Sequence, residues 1–221
     1  MKNCRSKPAA LSWVVLILTT LSGLQVQASE LPYYNDGDFT PMWLAPEQVA
    51  SSDFHRIPPF ALTNQNGELI DQSTVDGRLY VVSFFFTTCP GICPVLRSKL
   101  ALVQDAYLHD PDVLILSHSI RPSTDTPELL RAYAQRNKVV SGKWHLLTGE
   151  REAIYHLART GYFANEDQGE VQDENDFLHS EQLILIDQQG YIRGVYNGLS
   201  TRQVGNLIED VELLQQEWLW R

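Results

Sequence analysis

The sequence predicts an α/β protein in which helices flank a mixed β-sheet. Two nearly continuous apolar, β-prone runs, residues 79–86 and Val113–Ser119, are typical of strands buried on both faces of a sheet. A segment with helical character follows each run, at 95–108 and at Pro127–Arg136. The last forty residues read as strand, turn, strand and long helix. Strands that alternate with helices, followed by a terminal hairpin, indicate a sheet with both parallel and antiparallel strands.

The elements of the first two thirds can be justified in order. Asn66-Gly67 between two short apolar runs predicts a hairpin with its turn at 64–67. Apolar residues at 96, 100, 103 and 107 give the 95–108 helix one apolar stripe. Thr126 followed by Pro127 is typical of a cap and first position of the next helix. A short strand at 144–147 and a helix at 150–159 complete this part.

The rest of the chain begins with a polar, acidic stretch at 164–176, which we expect to be a loop or a loose hairpin. Residues 183–187 and 191–196 form an antiparallel pair around a tight turn, and the final helix covers Thr201–Leu219. The order is hairpin, strand, helix, strand, helix, strand, helix, hairpin, helix. This is the thioredoxin-like plan with an extra N-terminal hairpin, and we assign it to residues 56–221.

The first 28 residues have the pattern of a bacterial secretory signal. A basic start is followed by an apolar stretch at 11–24 and the small-residue cleavage site Val26-Gln27-Ala28. The apolar stretch is short for a membrane span, which needs about 20 residues, but an uncleaved N-terminal anchor is the alternative. We expect Cys4 to be lost with the signal and residues 29–55 to form an extended arm. The predicted destination is the periplasm or the outer face of the inner membrane, an oxidising compartment.

The charge of the chain bears on its partners. Cleavage after Ala28 leaves 221 − 28 = 193 residues and removes three basic residues and no acidic ones, so the formal charge changes from −10 to −13. This excess of negative charge argues against nucleic acid and anionic membrane surfaces as partners. The negative charge favours cations or basic proteins as partners, although the ordinary effect of net charge is on solubility.

The chain has three cysteines, and two of them, Cys89 and Cys93, lie at the predicted junction of a strand and a helix. A helix that starts near Cys89 would place the two α-carbons about 6 Å apart on one face, close enough for a disulfide or a shared metal ion. Unpaired N–H groups at a helix start favour negative charge, so we expect a lowered pKa for the Cys89 thiol.

Three roles are open to this pair. A structural disulfide is common in exported proteins, but this one would close a three-residue loop and gain little chain entropy. The pair is better explained as a soft-metal site or as a thiol-exchange pair. As a thiol-exchange pair, Cys89 would attack a partner disulfide and Cys93 would resolve the mixed intermediate.

A metal held by two cysteines needs a third ligand for trigonal geometry, and His179 is the candidate. It stands just before the 183–187 strand, and in a thioredoxin-like sheet the loop entering that strand faces the cysteines. His118, at the end of the second core strand, is expected to pack in the core or to support the ligands from behind.

The chain resembles the Sco/SenC family over residues 31–215. The shared features are the segments 31–35 and 38–41, Cys-x-x-x-Cys-Pro at 89–94, Thr124-Asp125-Thr126-Pro127-Glu128, and His179 ahead of a strand–turn–strand. The resemblance implies a thioredoxin-like protein that binds one copper ion through Cys89, Cys93 and His179.

The resemblance also implies a role in assembling the copper centre of respiratory cytochrome oxidase, as metal donor, thiol reductant or both. The implied partner is the copper-bearing oxidase subunit or another exported thiol protein. The alternative is a general thiol–disulfide oxidoreductase that uses Cys89 and Cys93 without an obligatory metal. Whether the protein is an enzyme depends on which of these roles it has.

Two positions depart from the family pattern. Leu178 stands where many members have an Asp before the ligand histidine, and Ser119-Ile120-Arg121-Pro122 replaces Ser-Val-Asp-Pro. Each change removes a carboxylate from the expected neighbourhood of the site, and Arg121 adds a cation. A cation there would stabilise thiolates and weaken copper binding, so the sequence indicates a divergent member.

Overall fold

The computed structural model describes Met1, residues 30–164 and residues 181–219. The predicted signal sequence, His179 and nearly all of the acidic stretch at 164–176 lie outside these residues. No helix within the described residues has the length and apolar character needed to cross a membrane.

The strands form one seven-stranded sheet with helices between them. The elements in chain order are α1 (Pro46–Ala50), β1 (Ala61–Asn64), β2 (Leu69–Asp71), α2 (Gln72–Val75), β3 (Leu79–Phe85), α3 (Cys93–Ala106), β4 (Val113–Ser119), α4 (Pro127–Arg136), β5 (Trp144–Thr148), α5 (Arg151–His156), a π-helix (Leu157–Gly161), β6 (Gln182–Ile186), β7 (Ile192–Asn197) and α6 (Thr201–Leu219). The strand order is β2-β1-β5-β4-β3-β6-β7. Strands β3, β4 and β5 are parallel, and all other neighbours are antiparallel. The predicted mixed α/β sheet with an extra N-terminal hairpin is confirmed.

The centre of the sheet is the pair β3 and β4, whose residues are all buried. The two strands pair from Leu79 with Val113 to Phe85 with Ser119. Since successive side chains of a strand point to opposite faces, this register places Ser83 and Ser117 on the same face, where their hydroxyl groups hydrogen-bond at 2.7 Å. The side chains of the intervening residues point to the other face. The face on which a side chain lies therefore decides whether it can reach the site.

The predicted helices agree with the structure except at two termini. Helix α4 begins at Pro127 with the Thr126 hydroxyl accepting from a backbone N–H of the first turn, as expected. The helix predicted at 150–159 is α-helical only to His156 and then widens into the π-helix, in which the Tyr162 N–H donates to the Leu157 carbonyl. The second difference, at the start of α3, concerns the cysteines and is described with them.

A buried arginine fastens the N-terminal arm to the end of the sheet. The Arg193 side chain of β7 forms ion pairs with Asp187 at 3.2 Å and with Glu217 of α6 at 2.9 Å. It also donates to the Leu31 carbonyl at 3.0 Å, and its guanidinium lies 3.9 Å from the centre of the Tyr33 ring. One side chain therefore joins the arm, the terminal hairpin and the last helix.

Candidate metal and thiol site

The cysteines lie where β3 passes into α3. Cys89 is in the loop between the two elements, with its N–H donating to the Phe86 carbonyl at 3.3 Å, and Cys93 is the first residue of α3. Helix α3 begins two residues before the predicted 95–108 helix, and one turn after the start near Cys89 that the expected cysteine spacing assumed. A helix from Cys89 would place Pro94 beyond the first turn, where its missing N–H and its ring oppose the helix, whereas a start at Cys93 keeps Pro94 in the first turn.

The loop nevertheless brings the two sulfurs together. Both are free thiols, Cys89 partly exposed and Cys93 buried, and the Cys93 thiol donates a hydrogen bond to Cys89. Their contact makes the pair available for a disulfide or for two bonds to one metal ion.

The two thiols differ in acidity. Burial raises the pKa of the Cys89 thiol, but hydrogen bonds from the Cys93 thiol and from the backbone N–H groups of Cys93, Gly91 and Ile92 outweigh burial and leave that pKa below its ordinary value. Burial raises the pKa of the Cys93 thiol to about 12, and its hydrogen bond with Cys89 adds to the rise. The predicted lowering at Cys89 is confirmed in direction, with the cause in the loop as well as in the helix start.

The face of the sheet beneath Cys93 is closed by packed side chains. A small pocket there is lined by Ser83, Phe85, Arg97, Ser117 and Tyr133, among others. The Tyr133 ring packs on Phe85 with ring centres 5.6 Å apart. The cysteine loop therefore rests on the face of the sheet that carries Ser83 and Ser117.

His118 lies on the opposite face. It is fully buried, its ring centre is 5.4 Å from those of both Phe84 and Tyr162, and neither ring nitrogen has a hydrogen-bond partner among the described residues. Of the two roles expected for His118, core packing is confirmed, and the ring lies on the face of the sheet opposite the two cysteines. The alternation of side chains along β4 turns this ring away from the cysteines.

Arg121 lies beside the cysteine loop, as its place in the sequence suggests. Its guanidinium carbon is 4.5 Å from the centre of the Phe86 ring. The backbone N–H of Arg121 donates to the Ser119 hydroxyl at 3.1 Å. Phe86 in turn binds both cysteines through its backbone. The departure from the family pattern thus places a cation at the edge of the loop.

Asp125 is a buried acid near the cysteine loop for which the sequence predicted no role of its own. Its carboxylate is 1% exposed and accepts hydrogen bonds from the Thr87 N–H at 3.1 Å, the Thr87 hydroxyl at 2.5 Å and the Ser119 hydroxyl at 2.5 Å. An Asp directly before a helix cap was the available signal, but its partner Thr87 is 38 residues away in the chain.

Within residues 30–164 and 181–219, no group of three or more His, Cys, Asp or Glu side chains is arranged to hold a metal ion. The predicted third ligand, His179, lies outside the described residues. Glu181 is the first described residue after His179, and its carbonyl accepts from the Gly198 N–H at 2.8 Å. A Cβ placed on Gly198 would lie 2.2 Å from Leu96 of α3 and 2.9 Å from that carbonyl, so Glu181 is close to the first turn of the cysteine helix.

Comparison with known proteins agrees with this arrangement. A SCO1 protein homolog of Bacillus subtilis is 26% identical over 168 residues, covering 75% of this chain and 86% of the relative. A solved structure of BsSco, described as a member of the Sco family of cytochrome c oxidase assembly proteins with a disulfide switch, matches with a TM-score of 0.62 and 26% identity, over 72% of this chain and 93% of BsSco.

Copper-bound ScoI of Arabidopsis thaliana matches with a TM-score of 0.56 and 26% identity, over 72% of this chain and 98% of ScoI. The SCO1/SenC family model matches residues 49–214, well over half of the chain and including both cysteines. The chain therefore belongs to the SCO1/SenC family.

Proposed function

We propose that the protein binds one copper ion through Cys89, Cys93 and His179 and serves the assembly of the copper centre of cytochrome oxidase. The observation that carries this proposal is the contact between two free thiols at the β3–α3 junction of a SCO1/SenC family member. The copper ion is cargo in this role rather than a resident cofactor.

The chemistry of the donor set fits copper. Thiolates are soft ligands that select copper(I), and imidazole is a common copper ligand. Two sulfurs leave a trigonal ion one ligand short, and the described residues supply no third. Glu181, which lies next to the first turn of α3, is two residues from His179, which supports His179 as the third ligand.

The relatives support the biological role. BsSco belongs to a family of cytochrome c oxidase assembly proteins, and Arabidopsis ScoI has been solved with copper bound. We infer by analogy that the partner here is the copper-bearing subunit of the oxidase or another exported thiol protein. The signal pattern at residues 1–28 supports action in the periplasm or at the outer face of the inner membrane.

The unequal acidity of the thiols favours a second candidate, a thiol–disulfide oxidoreductase. The Cys89 thiolate would attack a partner disulfide, forming a mixed disulfide and releasing one partner thiolate. Cys93 would then lose its proton and attack the Cys89 sulfur, which releases the second partner thiolate. The partner gains two electrons and the cysteine pair loses two. Because Cys89 carries no charge in the mixed disulfide, part of the cause of the raised Cys93 pKa is removed at that stage.

Elemental analysis of the protein purified from its native compartment tests the copper proposal. We expect about one copper per chain in the wild type and none in a Cys89→Ser, Cys93→Ser variant. In cells that lack the protein, cytochrome oxidase activity should fall and be restored by the wild type only. Copper-free wild-type protein that still restores the oxidase would favour the oxidoreductase instead.

A further inference from the structure

We infer that Asp125 is a positioning residue of the site, and that its carboxylate sets the geometry of the cysteine pair without touching the metal or either sulfur. The inference deepens the proposed copper-binding function and rests on it. It starts from a buried carboxylate that has three hydrogen-bond donors and, within the described residues, no cation paired with it.

A buried carboxylate is costly unless hydrogen bonds replace its lost water. Among the residues that the structure describes, Asp125 obtains those bonds from two places, Thr87 and Ser119. Both donors lie at or just beyond the end of a central strand, since Thr87 is two residues after β3 and Ser119 is the last residue of β4. The carboxylate therefore joins the carboxyl ends of the two strands from which the site departs.

Thr87 is bound twice, through its N–H at 3.1 Å and its hydroxyl at 2.5 Å, which fixes both the peptide plane and the side chain. It is two residues before Cys89. The next hydrogen bond along the chain, from the Cys89 N–H to the Phe86 carbonyl, depends on the direction in which the chain leaves Thr87. The N–H groups of Gly91 and Ile92 that bind the Cys89 sulfur follow within the same loop.

The second contact extends to the other side of the loop. The Ser119 hydroxyl donates to the Asp125 carboxylate at 2.5 Å and accepts a hydrogen bond from the backbone N–H of Arg121 at 3.1 Å. Arg121 carries the guanidinium that stacks on Phe86. One carboxylate thus aligns the loop that bears the thiols and the loop that bears the neighbouring cation, and Thr126 beside it caps α4.

The test compares Asp125→Asn with Asp187→Asn. Asp187 is also a buried carboxylate that accepts backbone N–H groups, at 3.0 Å from both Gln189 and Tyr191, but it serves the β6–β7 hairpin and pairs with Arg193. An asparagine at 125 keeps the shape and turns an NH2 group towards donors, so at least one of the three bonds is lost. Two readouts are measured on the full mature chain: copper(I) affinity by competition with a chelator, and the equilibrium constant of the dithiol with glutathione.

We expect Asp125→Asn to weaken copper(I) binding about 10- to 100-fold, as loss of an outer hydrogen bond does at other metal sites, and to shift the glutathione equilibrium several-fold. Asp187→Asn should lower stability and leave both readouts within twofold of wild type. The milder Thr87→Val removes one bond, retains the N–H contact and should shift both readouts in the same direction. It decides the question if Asp125→Asn does not fold.

Wild-type readouts in Asp125→Asn, or in Thr87→Val where only that variant folds, would overturn the inference. Equal effects of Asp125→Asn and Asp187→Asn would also overturn it, because general loosening would then explain both. If the wild type binds no copper, the proposed function fails, and the glutathione equilibrium still decides the role of Asp125.

Discussion

The Cys93 thiol donates a hydrogen bond to the sulfur of Cys89, so the two members of one sulfur pair hold their protons with very different strength. Cys89 is the partly exposed and more acidic partner, and Cys93 is the buried one with a pKa of about 12. This asymmetry suits both proposed functions, because it presents the Cys89 thiolate to an incoming metal ion or disulfide while the Cys93 thiol stays protonated until it reacts.

Replacing Cys93 by alanine should raise the pKa of the Cys89 thiol, because the variant lacks the S–H donor that stabilises the thiolate. The rate of Cys89 alkylation by iodoacetamide, followed by mass spectrometry against pH, measures this in a Cys4→Ser background. The half-maximal rate should move to higher pH in Cys93→Ala, and alkylation at pH 7 should slow. The same midpoint with and without Cys93 would contradict the assigned hydrogen bond.

Gly198→Ala should destabilise the protein by about 1–3 kcal/mol, since the new methyl group would lie 2.2 Å from Leu96, 2.9 Å from the Glu181 carbonyl and 2.9 Å from Leu183. Urea unfolding gives the loss. Gly205→Ala is the matched control, because nothing lies within 4 Å of its added Cβ and it is inside helix α6, where alanine is favoured by roughly 1 kcal/mol. A stabilising Gly198→Ala would show that Glu181 does not approach α3 as described.

Arg193→Met should cost about 3–5 kcal/mol, because it leaves the buried Asp187 carboxylate without its cation. It should also free the arm, whose Leu31 and Pro32 carbonyls accept from Arg193. Urea unfolding measures the loss of stability, and limited proteolysis at sites before residue 46 measures the release of the arm. Arg202→Met, at an exposed position of α6, is the control. A loss below about 1 kcal/mol would mean that the buried ion pair contributes little.

The buried His118 should make the protein sensitive to acid. Burial lowers its pKa from 6.5 to about 4, so between these values the unfolded chain binds the proton more readily than the folded one. The corresponding stability is complete above pH 6.5 and is lost as the pH falls towards 4, a difference of about 3 kcal/mol.

His118→Phe should flatten the dependence of the unfolding free energy on pH between 4 and 6.5, measured by urea titration at each pH. Part of the slope should remain, because burial lowers the pKa of His145 as well. The same replacement at exposed His109 should leave the slope in place. An unchanged slope in His118→Phe would show that His118 is not held neutral in the folded protein.

Much of the fold followed from local patterns. The strands β3 and β4 are mostly apolar and buried throughout, and α4 and α6 agree with their predicted bounds because caps and helical periodicity are local signals. The start of α3 lies within two residues of the predicted 95–108 helix, because Pro94 is tolerated in the first turn of a helix and opposed inside one.

The candidate site was less predictable, because its geometry depends on long-range register. Pairing of Phe84 with His118 in adjacent strands decides that the His118 ring lies with the aromatic cluster and not with the thiols. The bond from Thr87 to Asp125 joins two loops that no local pattern connects. The two cysteines were recognisable because they are four residues apart, whereas His179 is far from them in the sequence and outside the described residues, and its role as a ligand stays a prediction.

The most direct test of the copper site is a copper(I) titration of the reduced mature protein against a competing chelator, in the wild type and in His179→Ala. The matched control is His156→Ala, since His156 is exposed on α5. The account predicts one copper ion per chain, a loss of affinity of at least about tenfold in His179→Ala, equal to about 1.4 kcal/mol, and wild-type affinity in His156→Ala. An affinity that is unchanged in His179→Ala would contradict the three-ligand site.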